Sequence, residues 1–109
     1  MSQKDIEQLR LIEQNLSQTV AQKQGYQRYL YDIDSALKEL GVVEEGYQIV
    51  GTIMIKKSSE NLRKDLEEKK EIYSKRLEAL EKQEKSLRQQ AKTLQEQAMD
   101  GFSESENNS

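Results

Sequence analysis

The amino-acid sequence predicts a mainly α-helical fold, a long antiparallel two-helix coiled coil with a central β-hairpin. Heptad patterns in both halves of the chain and an apolar, glycine-punctuated segment between them lead to this prediction. Apolar and charged residues each make up 34% of the 109 residues, whereas a typical soluble domain has roughly 45–50% and ~25%. This composition favours long helices that pack along a narrow seam over a thick globular core.

The two helices are predicted over about residues 4–40 and 59–99, where seam residues alternate in steps of three and four. Eight of the ten seam positions in each helix are apolar, counting Ala. Gly41 is the predicted stop of the first helix, and Ser58 or Ser59 the N-cap of the second. We expect one domain over residues 1–99 and a disordered acidic tail over 100–109. The seam positions are Leu9, Ile12, Leu16, Thr19, Lys23, Tyr26, Leu30, Ile33, Leu37 and Leu40, then Leu66, Lys70, Tyr73, Leu77, Leu80, Glu84, Leu87, Ala91, Leu94 and Ala98.

An antiparallel register brings two interior polar residues, Lys23 and Glu84, into adjacent layers of the seam. We predict that they meet there, with Thr19 nearby, and fix the register at some cost in stability. The alternative is that both side chains reach out to water independently. The same register, within a few residues, pairs Leu40 with Leu62, Leu30 with Tyr73, Leu16 with Leu87 and Leu9 with Leu94.

The hairpin is predicted over about residues 46–57, with Gly51 and Thr52 as a two-residue type II′ turn. Val50–Ile53 and Gln48–Ile55 pair on one face, and Ile49–Met54 and Tyr47–Lys56 on the other. Both faces carry large apolar side chains and both strand edges are open, so we expect hairpins of several subunits to join in a closed sheet or barrel. The alternative is a hairpin folded back on its own helix ends. The predicted oligomer interface is Tyr47, Ile49, Val50, Gly51, Ile53, Met54 and Ile55.

Several functional classes are disfavoured by composition. The net charge is −3 without a clustered basic face, which argues against nucleic acid. The chain has no Cys and no His, so it lacks thiolate metal ligands and the commonest general base. The N-terminal MSQKDIEQLR has no signal-peptide core, and no apolar run approaches ~18 residues. We therefore predict a cytoplasmic protein that is not an enzyme, with no cofactor, no metal and no membrane contact.

The segment GYQIVGTIMIKKSSENLRKDLEEK, placed between helical arms of similar length, resembles the central motif of beta-type prefoldin subunits. The family motif is aromatic-x-x-Val-Gly-x-aliphatic-x-Val/Ile-Lys followed by a long amphipathic helix, and the likeness extends over 6–99. The chain departs from the family in a short, Pro-free linker before the hairpin and in Thr52, where several relatives have Pro or another small residue. A single hairpin favours the beta type, since alpha-type subunits carry a second one. The motif positions are Tyr47, Val50, Gly51, Ile55 and Lys56.

The resemblance implies an ATP-independent chaperone subunit in a hexamer of two alpha and four beta subunits. In that family the hairpins form β-barrels, and the coiled coils bind unfolded client proteins and deliver them to a group II chaperonin. The alternative is a structural coiled-coil adaptor or tether that is oligomerised through its hairpin. The helical arm of an enzyme is a third reading, which the lack of an accompanying catalytic domain disfavours.

Client contacts are predicted at the helix ends that carry the chain termini, because apolar groups at a frayed end are incompletely buried and Met suits promiscuous surfaces. For Leu9 and Leu94, an alternative role is the last layer of the core. The predicted client-binding residues are Ile6, Leu9, Leu11, Leu94, Ala98 and Met99.

Overall fold

The structure, a computed structural model, describes residues 2–41 and 43–107. Helix α1 spans Gln3–Leu40, strands β1 and β2 span Glu45–Val50 and Ile53–Ser58, and helix α2 spans Ser59–Asn107. The strands form one antiparallel two-stranded sheet. The predicted fold class, two long helices around a single hairpin, is confirmed. Among the described residues no helix has an apolar stretch long enough to cross a membrane.

Helix α2 continues beyond its predicted end near residue 99. It is helical through Asn107, where the sequence predicted a disordered tail from residue 100. The chain has no Pro to stop the helix, and extending an existing helix adds one hydrogen bond per residue without a new nucleation cost. The last two tail residues, 108 and 109, lie outside the described residues.

Serine residues join the end of α1 to the start of α2. The Ser58 hydroxyl accepts a hydrogen bond from the Asn61 backbone N–H at 3.2 Å, which makes Ser58 the N-cap of α2. The Ser59 hydroxyl donates to the Leu40 carbonyl at 2.9 Å, and the Ser59 N–H donates to the Glu44 carbonyl at 2.8 Å. Ser59 thereby satisfies one of the carbonyls that α1 leaves unpaired at its C-terminus.

The hairpin has the predicted turn and register. Val50 pairs with Ile53 and Ile49 with Met54, and the ladder continues to Glu45 and Ser58. Gly51 has φ +63°, whereas no non-glycine residue among those described has positive φ. Positive φ at the first central residue alone is the type II′ pattern, because a type I′ turn requires it at both.

The chain divides into two compact units. One contains α1 up to Lys23 together with the chain from Ala79 onward, and the other is Gln24–Glu78. Within each unit, a segment of α1 packs beside a segment of α2. The buried residues of the first unit are Leu9, Thr19, Leu80, Leu87 and Ala98, and those of the second are Ile33, Leu40 and Leu62. The single domain expected over residues 1–99 stays a prediction.

Candidate functional site

Both faces of the hairpin carry apolar side chains that this chain leaves exposed. One face, called here the Tyr47 face, consists of Tyr47, Ile49 and Met54, with Ile49 69% and Met54 64% exposed. The other, called the Val50 face, consists of Val50, Ile53 and Ile55, which are also exposed. Each face of this short hairpin therefore presents three large apolar side chains to solvent, and exposed apolar surface of this kind marks an interaction site.

The helices contact the hairpin at its base. A Cβ atom added at Gly46 would lie 2.9 Å from Leu62 Cδ1 and 3.8 Å from Leu40 Cδ2, so the sheet approaches both helices at this glycine. Lys57 also ties β2 to α2 through an ion pair with Asp65 at 2.9 Å. The hydrogen bond from Lys57 and the charge of its ammonium group lower the pKa of Asp65. These contacts hold the base of the hairpin against the helix ends.

An apolar groove of about 530 Å³ lies between the hairpin base and the helices of the second unit. Sequence reasoning missed this groove, because it depends on how the junction after α1 places β1 over the helices. No local pattern in the sequence encodes that placement. Its walls are formed by Ala36, Glu39, Leu40, Val43, Gly46, Tyr47, Gln48, Ile49, Leu62, Asp65, Leu66 and Lys69.

The predicted meeting of Lys23 and Glu84 is confirmed. Lys23 Nζ lies 2.6 Å from Glu84 Oε2, with the two side chains 22% and 13% exposed. Arg88 Nη2 binds the other carboxylate oxygen of Glu84 at 3.0 Å. One turn from Lys23 along α1, Thr19 is buried and its hydroxyl donates to the Asn15 carbonyl at 2.8 Å. Hydrogen bonds from Lys23 and then from Arg88 lower the pKa of Glu84 below the ordinary glutamate value of 4.5.

The second unit also contains a layer of aromatic side chains, of which Tyr26 and Tyr73 were predicted as seam residues. The ring centroids of Tyr26 and Tyr29 lie 5.6 and 5.7 Å from that of Tyr73, a separation typical of favourable aromatic pairs. The Arg76 guanidinium lies 6.0 Å from the Tyr73 centroid and donates to the Tyr26 hydroxyl at 3.3 Å. Tyr29 was not among the predicted seam residues, although its spacing of three from Tyr26 places both on one helix face.

The predicted client-binding residues in the first unit differ in exposure. Leu11 is 58% and Met99 69% exposed, and Ile6 is also exposed. Leu94 is half-buried. Leu9 and Ala98 are buried, as expected of residues in core layers. We therefore keep only Ile6, Leu11, Leu94 and Met99 as proposed client contacts.

A shallow groove of about 330 Å³ adjoins these residues. Its apolar walls come from Leu11, Ile12 and Leu94, and four polar residues form the rest of its lining. Leu94 thus shares a groove with Leu11 and Ile12. Both residues lie a few positions along α1 from Leu9, which the sequence predicted as the neighbour of Leu94. The groove offers space for an apolar side chain bordered by amide groups that hydrogen-bond to water or to a backbone. The polar residues are Gln8, Gln90, Thr93 and Gln97.

Comparison with known proteins identifies the family. Residues 3–105 match the family described as Prefoldin subunit. The chain belongs to the prefoldin family. A solved structure, the crystal structure of the prefoldin beta subunit from Thermococcus strain KS-1, superposes with a TM-score of 0.83 at 34% identity, covering 91% of this chain and 90% of that one. Prefoldin subunits are not enzymes, so the prediction that this chain is not an enzyme is confirmed by its family.

Two curated relatives are named Prefoldin subunit beta. The one from Archaeoglobus fulgidus is 35% identical over 71 residues, which cover 62% of this chain and 61% of the relative. The one from Caldivirga maquilingensis is 32% identical over 71 residues, which cover 62% and 59%. The chain therefore spans about three fifths of the length of the curated prefoldins that it matches.

Proposed function

We propose that this chain is the beta-type subunit of a cytoplasmic, ATP-independent prefoldin chaperone. It assembles through its hairpin, holds unfolded proteins by apolar side chains of the first unit and delivers them to a group II chaperonin. The observation that carries the chaperone role is the exposure of Leu11 and Met99, with Leu11 lining a groove that also contains Leu94. Exposed apolar groups of this kind bind the apolar side chains of a client that has not yet buried them.

Assembly follows from the uncovered hairpin. Removing the Tyr47 and Val50 faces from water requires partners on both sides of a thin sheet, and pairing the strand edges requires further strands. A closed β-barrel built from hairpins of several subunits meets both requirements. We propose the hexamer of two alpha-type and four beta-type subunits that characterises the family.

Client binding in this proposal is weak at each subunit and strong in the complex. A groove of a few apolar side chains gives little affinity, but several such grooves presented by one assembly raise the effective concentration of each further contact. Release then needs no nucleotide, because a competing partner such as the chaperonin displaces the contacts one at a time. The flexible thioether of Met99 suits clients of many shapes.

The client-binding role predicts a selective loss of activity. In the complex assembled with an alpha-type subunit, Leu11→Ser combined with Met99→Ser should abolish suppression of aggregation of a chemically denatured test protein. The number of subunits in the complex should stay unchanged, because both side chains are already exposed within the chain. The matched control is Tyr31→Ser, which removes another side chain, 73% exposed, from the second unit and should leave suppression intact.

The same experiment separates the chaperone from the tether alternative. A structural coiled-coil tether would show no suppression even in the unsubstituted complex. Full suppression by the Leu11→Ser/Met99→Ser complex would instead refute the assignment of these residues to client binding.

A further inference from the structure

We propose that the shallow groove lined by Leu11, Ile12 and Leu94, called here the Leu11 groove, binds a short extended stretch of a client that carries no charge, and that its glutamine side chains hold the backbone of that stretch. This selection rests on the proposed chaperone function and adds which part of an unfolded protein the groove accepts. A client segment is then chosen for its lack of charge and its unpaired backbone.

The Leu11 groove is uncharged in a chain of which 34% of the residues are charged. All seven lining residues are apolar or neutral and polar. A second groove of the first unit, called the Arg88 groove, has nearly the same volume, about 340 Å³ against about 330 Å³, but five of its six lining residues are charged. The two grooves thus differ in charge far more than in size. The charged residues of the Arg88 groove are Glu81, Glu84, Lys85, Arg88 and Lys92.

Uncharged walls select against charged client side chains. A lysine or glutamate side chain that enters the Leu11 groove loses hydrating water and meets no group of opposite charge among the lining residues. An apolar side chain instead gains free energy when Leu11, Ile12 and Leu94 remove its surface from water. Because the walls carry neither sign of charge, the groove accepts uncharged segments from acidic and from basic clients alike.

The polar lining has the hydrogen-bonding groups that an unfolded backbone needs. Every residue other than proline has one N–H donor and one C=O acceptor, and a glutamine amide offers both an acceptor and a donor. Within the described part of the chain, no hydrogen bond occupies the side chains of Gln8, Thr93 or Gln97, and all three are exposed. A lysine could only donate at these positions and a glutamate could only accept, so glutamine fits a backbone best.

The polar residues of α2 set the length of the bound stretch. Gln90, Thr93 and Gln97 lie three and four positions apart, so they follow one face of the helix. At ~1.5 Å per residue this row is about 10 Å long, a distance that an extended chain covers in about three residues. Gln90 donates to the Ser86 hydroxyl at 3.3 Å through its amide nitrogen, which leaves its carbonyl oxygen to accept a client N–H. One groove therefore holds about three client residues, with the middle side chain inserted, because side chains of an extended chain alternate in direction.

Photo-crosslinking from the groove tests the preference for uncharged segments. A photo-crosslinking amino acid at position 11, in the complex with an alpha-type subunit, is irradiated in the presence of a denatured test protein, and the crosslinked client segments are mapped by mass spectrometry. Charged residues should be several-fold rarer within about two positions of each crosslink than in the whole client, and the yield should not fall at ~1 M salt. Crosslinked segments with the charge content of the whole client would overturn the proposal.

A charged version of the groove provides the second test. With Gln8→Glu combined with Gln97→Glu, the segments crosslinked at position 11 should become enriched in lysine and arginine, and the yield should fall at ~1 M salt, where the screening length is ~3 Å. The matched control is Gln89→Glu, which changes an exposed glutamine of the Arg88 groove and should leave the mapped segments unchanged. If Gln8→Glu/Gln97→Glu captures the same segments as the unsubstituted complex, selection by charge is refuted.

Methionine substitutions test the backbone contacts. Met is close to Gln in length and flexibility but has only a weak acceptor in place of the amide. Gln8→Met combined with Gln97→Met should therefore lower the crosslink yield at position 11 by about fivefold or more, although the walls become more apolar. Helix content by circular dichroism should stay the same, because both glutamine side chains are exposed. An unchanged or higher yield would show that apolar contact alone holds the client.

Failure of this selection and failure of the chaperone role give different results. If position 11 captures client segments of any charge, the selection is refuted while the chaperone role stands. If the complex suppresses aggregation but position 11 captures no client, the groove is not the binding site and the selection is again refuted. If the complex neither captures client nor suppresses aggregation, the chaperone role itself is refuted, and the selection with it.

Discussion

Ile49→Ser combined with Met54→Ser should convert the assembled protein into free subunits whose helices remain folded. Both side chains are largely exposed in the single chain, so the substitutions remove few contacts within it. In the assembly, full burial of such side chains is worth about 1.5–3 kcal/mol each, and each junction should therefore weaken by roughly a hundredfold or more. Sedimentation and native mass spectrometry measure the subunit number, and circular dichroism measures the helix content.

The matched control for this prediction is Ile72→Ser. Ile72 is an exposed isoleucine on α2, outside the hairpin, so its replacement should leave the mass of the assembly unchanged. A hairpin variant that keeps the full subunit number would show that the apolar faces are not the assembly surface. Equal dissociation by Ile72→Ser would point to an interface along the helices instead.

Glu84→Leu should lower the melting temperature by several degrees Celsius, whereas Lys23→Leu/Glu84→Leu should restore it to the unsubstituted value or above. The single substitution leaves the Lys23 ammonium group in a largely covered seam without its carboxylate, which is the costly arrangement. Removing both charges replaces a polar layer by an apolar one. The matched control is the exposed pair Glu71 and Lys75 on α2, where Glu71→Leu should have little effect.

The stabilisation by Glu84 should depend on pH in a defined direction. The pKa of Glu84 in the folded chain lies below the ordinary value of 4.5. Its contribution to the free energy of unfolding is therefore complete above pH 4.5, and it is lost as the pH falls through the folded-state pKa. The advantage of the unsubstituted chain over Glu84→Leu should shrink in that acidic range. Thermal melts across the range measure it. Absence of coupling between the two leucine substitutions at neutral pH would contradict a structural role for the pair.

The hairpin and the ion pair were predictable because local rules determine them. A glycine before Thr52 specifies the turn, and a two-residue turn fixes every cross-strand pair through the period of two. Lys23 and Glu84 stand out because they interrupt regular apolar series, and an antiparallel register brings such interruptions together. At the hairpin and at the ion pair, a single sequence pattern leaves few alternative local structures.

Other features depend on packing that no short pattern encodes. The burial of Leu9 and Ala98 follows from how the helix ends in the first unit pack, and the groove beside the hairpin follows from the approach of Gly46 to Leu62. Helix α2 extends past the end of the apolar seam to Asn107, because helix propagation needs no apolar face. The sequence therefore predicted the hairpin more fully than the groove beside Leu11 and Leu94.

The most direct test of the account is to locate the client on the assembled chaperone. A photo-crosslinking amino acid is placed at position 11 in one preparation, at position 31 in a second and at position 49 in a third, each in complex with an alpha-type subunit. After addition of a denatured test protein and irradiation, crosslinked client should appear for the position of Leu11 and not for those of Tyr31 or Ile49. Equal crosslinking at all three positions, or crosslinking only at position 49, would contradict the division between an assembling hairpin and a client-binding first unit.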